Sequence, residues 1–290
     1  MAAYIKQNNT LARFLIILAA GLFFIAISYF LTLIFPVDAR MVTPGDWVFG
    51  VDWKEFIGPD VRLLLAGGNP YAPDGQSVSG LYPPWAYLFL APLALVSPGI
   101  GAVLIFTLTY FSFAFILFRL KYRPGFIVVF LCSLYIYRCA WSANIDWLAA
   151  LGFILPPWLG LIFIMIKPQA GIGIALFWLV QAWQRERLRG VIKTFAPVTV
   201  LYLLSFLFFG LWPLRMSQMP QYALSNYPIT LALGLLLLYK GIKDHKVQYA
   251  IASGPLLAPY ANIYTYTMTL FAFDAPLPLA VLVFLTWMNY

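Results

Sequence analysis

Long apolar runs separated by short polar breaks dominate the chain, and the breaks set the predicted elements. The first run, Leu11 to Phe35, would be about 37 Å long as a helix, enough to cross a hydrocarbon core of about 30 Å. It exceeds the core of a secretory signal, about 7–15 residues. Lys6 and Arg13 lie at its start, which predicts a cytoplasmic N-terminus. Further apolar runs cover residues 84–97, 99–119, 125–141, 146–166, 168–183, 191–211, 228–239, 247–270 and 275–290. With the first they predict an all-α polytopic membrane protein of ten spans, a single membrane domain over residues 1–290. The runs 84–97, split by Pro92, and 228–239 are short, as suits helices that line a cavity rather than lipid.

Two basic segments, Arg185 to Arg189 and Lys240 to Lys246, belong on the cytoplasmic side. Ten spans with both termini inside satisfy that but leave Arg119, Lys121 and Arg123 outside. A rival topology folds 146–166 into a hairpin at Pro156-Pro157 and makes 84–97 re-entrant, which brings those three residues inside. Its half-helices, about ten residues each, cannot cross the core, so ten spans are preferred here. Both topologies place residues 36–83 outside a cell membrane that the chain crosses several times.

Composition agrees. The chain is 63% apolar and 10% charged, with mean hydropathy +0.85, against roughly 45–50% and about 25% in soluble domains. The net charge of +8 follows the basic loops and gives no sign of nucleic acid as a partner. Cys132 and Cys139, seven apart in one predicted helix, share a face and cannot bridge each other. With His245 the single histidine, a His/Cys metal site is excluded, and no cofactor is expected.

Six of the ten acidic residues fall in the 36–83 loop: Asp38, Asp46, Asp52, Glu55, Asp60 and Asp74. Asp38, Asp46 and Asp74 read as ordinary loop charge. Asp52 and Glu55 open a segment with apolar residues at 53, 56, 57, 61, 64 and 65, a helical period interrupted near Gly58-Pro59. It predicts an amphipathic helix on the membrane surface, apolar face down. Asp52 then either faces a cavity mouth or caps the helix. A turn follows at Gly67-Gly68-Asn69-Pro70-Tyr71, and Tyr82-Pro83-Pro84 opens the next helix.

The order acidic residue, surface helix, Leu-x-x-Gly-Asn-Pro-Tyr and Tyr-Pro-Pro resembles glycosyltransferase family 87. Asn144-Ile145-Asp146 is similar to that family's Gly-Gln/Asn-x-Asp/Asn element, although Ala143 stands where the family has Gly. Lys167-Pro168-Gln169 with Trp183-Gln184-Arg185, and Ser253-Gly254-Pro255 to Tyr260 with Tyr264, resemble two later elements. The resemblance covers residues 11 to 270; the chain is shorter than the family's usual length, with a compressed interval from Asn144 to Lys167. It implies a GT-C-type bundle that moves a hexose, in some members mannose, from a polyprenyl-phosphate donor to a lipid-linked or glycan acceptor.

Such a transfer needs a base for the acceptor hydroxyl, and the resemblance assigns Asp52, with Glu55 second. One base in a single displacement implies inversion. The donor phosphate needs a cation, and Lys167 interrupts an apolar stretch where centring a charge costs at least ~2.5–3.5 kcal/mol. Snorkelling to the interface is its bland alternative. Arg62 and Arg138 are further candidates, since a guanidinium grips phosphate with two donors. Asn144 and Asp146 either bind sugar hydroxyls or, through Asp146, pair with Arg138. In the ten-span topology they lie on the side opposite Asp52, so a shared site requires the hairpin. Asn69, Tyr71, Tyr82, Gln169, Tyr260 and Tyr264 complete the candidates for substrate contact. The absence of an Asp-x-Asp pair argues against a metal-bound nucleotide-sugar donor. Two other classes stay open: a non-catalytic scaffold subunit, and a transporter of lipid or sugar.

Overall fold

A computed structural model describes residues 48–72, 80–216 and 229–288, with Phe23, Ala26, Ile27, Tyr29, Phe30 and Leu33 of the first apolar run. Asp38, Asp46, Asp74 and most of that run lie outside the described residues. Among the described residues the chain is helical, with no strand. A π-helical turn, Asp52–Ile57, continues into α1 (Gly58–Leu65). There follow α2 (Pro84–Ala94), α3 (Pro98–Arg119), α4 (Pro124–Leu131), α5 (Leu134–Trp141), α6 (Asp146–Leu151), α7 (Pro157–Ile164) and α8 (Pro168–Phe209). The chain continues through α9 (Ile229–Lys243), α10 (Val247–Leu257), a 3-10 segment (Ile263–Ala272) and α11 (Pro276–Met288). Proline opens α2, α3, α4, α7, α8 and α11, where its missing N–H has no helical partner to lose.

Two described helices, α3 and α8, are long and apolar enough to cross a membrane, and the pair α4–α5, bent by 56°, would make a third. The bend falls at Ser133, whose extended backbone caps α5: its hydroxyl accepts from the Ile136 amide. Residues 125–141 are therefore not one straight helix. Cys132 and Cys139 fall on opposite sides of the bend, one exposed and one buried, not on a common face. α8 is two arms broken at Glu186 and Arg187, the latter at φ 51°, matching the runs 168–183 and 191–211.

Three other expectations are corrected. Residues 146–166 form the hairpin α6–α7, turned by a 3-10 segment, Gly152–Ile154, and Pro156-Pro157. Residues 247–270 are α10 and the 3-10 segment, separated at Ala258-Pro259. The helix from Asp52 to Leu65 does not merely rest on a lipid surface. Trp53, Ile57 and Val61 are buried within the protein, while Phe56 and Leu65 are exposed. Pro59 does not interrupt it, because the π turn, closed by the Gly58 amide on the Trp53 carbonyl, carries the chain past the residue that lacks an N–H.

Tyr122, just after α3, donates its hydroxyl to the Phe271 carbonyl at 2.7 Å. It shares a cleft of about 120 Å³ with Lys246, Tyr249 and Asp274. The 119–123 and 240–246 segments thus meet at one end of the bundle. α8 and α10 run antiparallel along a seam of small residues. A Cβ on Gly173 would strike the Ser253 hydroxyl and the Ala250 carbonyl, and one on Gly254 would strike the Ala170 carbonyl. Close backbone approach through small residues is the usual means of packing helices in lipid. The seam fixes the start of α8 against the residues that follow α10. Gly173→Val is expected to overpack it by about 1–3 kcal/mol, seen as a lower unfolding midpoint in detergent; an unchanged midpoint would remove the seam from this account.

Candidate active site

The site is assembled where α5 ends. Ala143 and Asn144 close α5 in a Schellman pattern: the Asn144 amide reaches the Cys139 carbonyl at 3.0 Å and the Ala143 amide the Ala140 carbonyl at 2.9 Å. This motif needs a left-handed residue, and Ala143 sits at φ 52°. The carbonyls left at the helix end are used as well. Gly50 donates to Trp141 at 2.7 Å and Asp52 to Ser142 at 2.9 Å. These two backbone bonds seat the π turn on the end of α5 and bring the Asp52 carboxylate to Asn144. Asp52 makes no cap to its own helix.

Asn144 is the hub. Its amide nitrogen donates to Asp52 Oδ2 at 2.6 Å and to the Tyr264 hydroxyl at 3.0 Å. Its oxygen accepts from Lys167 Nζ at 2.8 Å. An ammonium only donates and a carboxylate only accepts, so this pairing fixes which way the amide points. Lys167 is 3% exposed; it forms an ion pair with Asp146 and lies 4.5 Å from the centre of the Tyr264 ring. Asp146, fully buried, also accepts from Thr265 at 3.3 Å. The Tyr264 oxygen accepts from Asn262 at 2.8 Å as well as from Asn144. Its own proton is then free for Asp52, with which it is in hydrogen-bonding range.

Half-buried Asp52 has its pKa pushed above the ordinary carboxylate range. Loss of solvation is the main cause and Asp146 adds to it, opposed by Asn144, Lys167 and Tyr264. Such a carboxylate is a stronger base than an exposed one.

Of the sequence candidates, Asp52, Asn144, Asp146, Lys167 and Tyr264 come together directly. The Tyr82 phenol reaches Asn144 and the field of Asp52, and Tyr260, 40% exposed, lies in the field of Lys167. Asp146 pairs with Lys167, not with Arg138, which is buried in α5. Glu55 is exposed and makes no hydrogen bond or ion pair among the described residues. Arg62 folds back along its own helix toward Gly58. Asn69 is exposed and serves its own turn, accepting from the Tyr71 amide at 2.9 Å, while the Tyr71 ring packs on Phe209 and Trp212. Gln169 is half-buried just after Lys167. Thr265 is not among the sequence candidates; its place one residue after Tyr264 is the signal the sequence offers. Among the described residues no group of three His, Cys, Asp or Glu could hold a metal ion.

Ala143→Gly is expected to raise stability by a few tenths to about 1 kcal/mol, because a left-handed alanine costs about that much more than a glycine; thermal unfolding checks it, and a loss would contradict the Schellman geometry. Lys167→Met is expected to cost about 3–5 kcal/mol by leaving Asp146 uncompensated, and adding Asp146→Leu should restore much of it. A double variant no better than the single one would deny the pairing. No protein-family model, curated protein or solved structure matches the chain.

Proposed function

We propose that the protein is a membrane glycosyltransferase of the GT-C type, similar to family 87, which moves a hexose from a polyprenyl-phosphate donor to a lipid-linked or glycan acceptor. The observation that carries this reading is the convergence of Asp52, Asn144 and Lys167, from three distant stretches of chain, on one hydrogen-bonded cluster. These are residues on which the resemblance rests. In this reading about ten helical segments are embedded in the cell membrane, with α2 and the α6–α7 hairpin dipping in without crossing. The basic segments around Arg119–Arg123, Arg185–Arg189 and Lys240–Lys246 then all face the cytoplasm, as the positive-inside bias asks. The Asp52 cluster lies at the opposite, extracytoplasmic face.

Asp52 removes the proton from the acceptor hydroxyl as its oxygen attacks the anomeric carbon. The bond from that carbon to the phosphate oxygen breaks, and polyprenyl phosphate leaves with the bonding pair, giving inversion. Asn144 and Tyr264 hold the carboxylate in place, and Tyr82 and Tyr260 offer hydroxyls to the sugar. Lys167 is the cation of the cluster. It can exchange its contact with Asn144 for a donor phosphate oxygen while it keeps Asp146. No metal has a step in this scheme.

A cell-free assay with labelled polyprenyl-phosphate hexoses and product analysis tests the reading; failure with every donor in a folded sample would overturn it. Asp52→Asn is expected to lower transfer by at least about 100-fold, the usual worth of a general base. An unaffected biological role in that variant would favour a scaffold. The acid limb of the pH–rate profile is expected above the ordinary carboxylate range, because the base works only when ionised. For stability the sign is opposite. A carboxyl whose pKa is raised on folding stabilises while protonated, and that contribution is lost as pH rises through the raised value. Asp52→Asn, always neutral, is therefore expected to unfold no earlier than the parent protein at neutral pH.

A further inference from the structure

One buried acid has no part in this scheme. Asp60 is fully buried on α1, the continuation of the π turn that carries Asp52. Its Oδ2 accepts from the Gly80 amide at 2.7 Å and from the Tyr87 hydroxyl at 3.1 Å. The Tyr87 oxygen in turn accepts from the Tyr82 amide at 3.4 Å, and the Tyr71 hydroxyl donates to the Tyr82 carbonyl. Both backbone polar groups of Tyr82 are thus held by tyrosine hydroxyls, and one of those hydroxyls is oriented by Asp60. The Tyr82 side chain extends to Asn144 and into the field of Asp52.

We infer that Asp60 is a positioning residue for the site: acting through Gly80 and Tyr87, it sets where the Tyr82 phenol stands beside Asp52. A carboxylate suits the task because one of its oxygens accepts two donors at once. Burying it carries a desolvation cost that an apolar residue would avoid, so its bonds to Gly80 and Tyr87 serve placement rather than stability alone. Because Asp52 and Asp60 share one continuous helix, base and anchor move as a unit. The role in transfer rests on the reading given above; the geometry does not.

A carbodiimide labels protonated carboxyls, so mass spectrometry of the Asp52 peptide across pH follows its titration without any need for activity. Lys167, Asp146, Tyr264, Tyr82 and Cys139 are the titratable groups that bear on Asp52. Tyr87→Phe keeps the ring and its packing but removes the linking hydroxyl. It and Asp60→Leu are expected to let water reach Asp52 and move the labelling midpoint down by about one pH unit, a tenfold change in the protonated-to-ionised ratio. Asp60→Asn retains an acceptor oxygen and should stay near the parent midpoint. An unchanged midpoint in Tyr87→Phe overturns the inference, as does equal loss in Asp60→Asn and Asp60→Leu. In the transfer assay, Tyr87→Phe should lower kcat several-fold with little change in the donor KM. A parent protein without transfer activity refutes the transferase reading while the labelling still decides the role of Asp60.

Discussion

The buried ammonium of Lys167 is the constraint that organises this end of the molecule. At 3% exposure it has no water to solvate it, and an uncompensated charge there would cost several kcal/mol. It is met by a carboxylate, an amide oxygen and a ring face, from Asp146, Asn144 and Tyr264. Those partners lie on different stretches of chain, so satisfying one cation pulls the end of α5, the start of α8 and the segment after α10 together. The ion pair also dictates topology. A straight helix from Asp146 to Lys167 would hold the two about 30 Å apart, so their contact requires the chain between them to turn back. The α6–α7 hairpin is the result.

This explains what was legible in the sequence and what was not. Lys167 stood out because it interrupts an apolar stretch, and Asn144-Ile145-Asp146 because of its polarity between apolar runs; both reached the site. Residues 146–166 read as a single span in the sequence because short helices cannot cross lipid. That argument holds for helices bathed in lipid, but α6 and α7 are packed against α3 and α8. Hydropathy does not distinguish an apolar segment buried in protein from one buried in lipid. The same blindness merged α10 with the 3-10 segment and hid the bend at Ser133. The proline pair before Trp85, by contrast, read correctly as a helix start, because its effect is local.

The irregular backbone clusters around Asp52. A π turn carries it, a left-handed alanine precedes its partner Asn144, and a kinked pair of helices leads to that alanine. Regular helices spend their backbone donors and acceptors internally; here the end of α5 offers two carbonyls, and the residues around the π turn spend two amides on them. The aromatic residues near Tyr71 act at one remove, since its hydroxyl and its ring hold the Tyr82 backbone and the 209–212 segment. Residues quoted as a motif therefore divide into those that form the cluster and those that only hold it.

The role of base proposed for Asp52 sets two opposed demands. Removing water strengthens it as a proton acceptor but also favours the protonated form, which cannot act. Asp52 lies between these limits. Burial raises its pKa, while the Asn144 amide, the charge of Lys167 and the Tyr264 hydroxyl lower it again. Lys167 acts on Asp52 in two ways, through its charge and through Asn144, whose oxygen it holds. Asp146 offsets only part of that charge, and the ammonium also holds Asn144 in one orientation. That division gives a reason for the length of the chain from Asp146 to Asp52. A cation placed directly on Asp52 would hold the carboxylate ionised but weaken it as a base, whereas one set back behind an amide fixes its position and leaves most of its basicity intact.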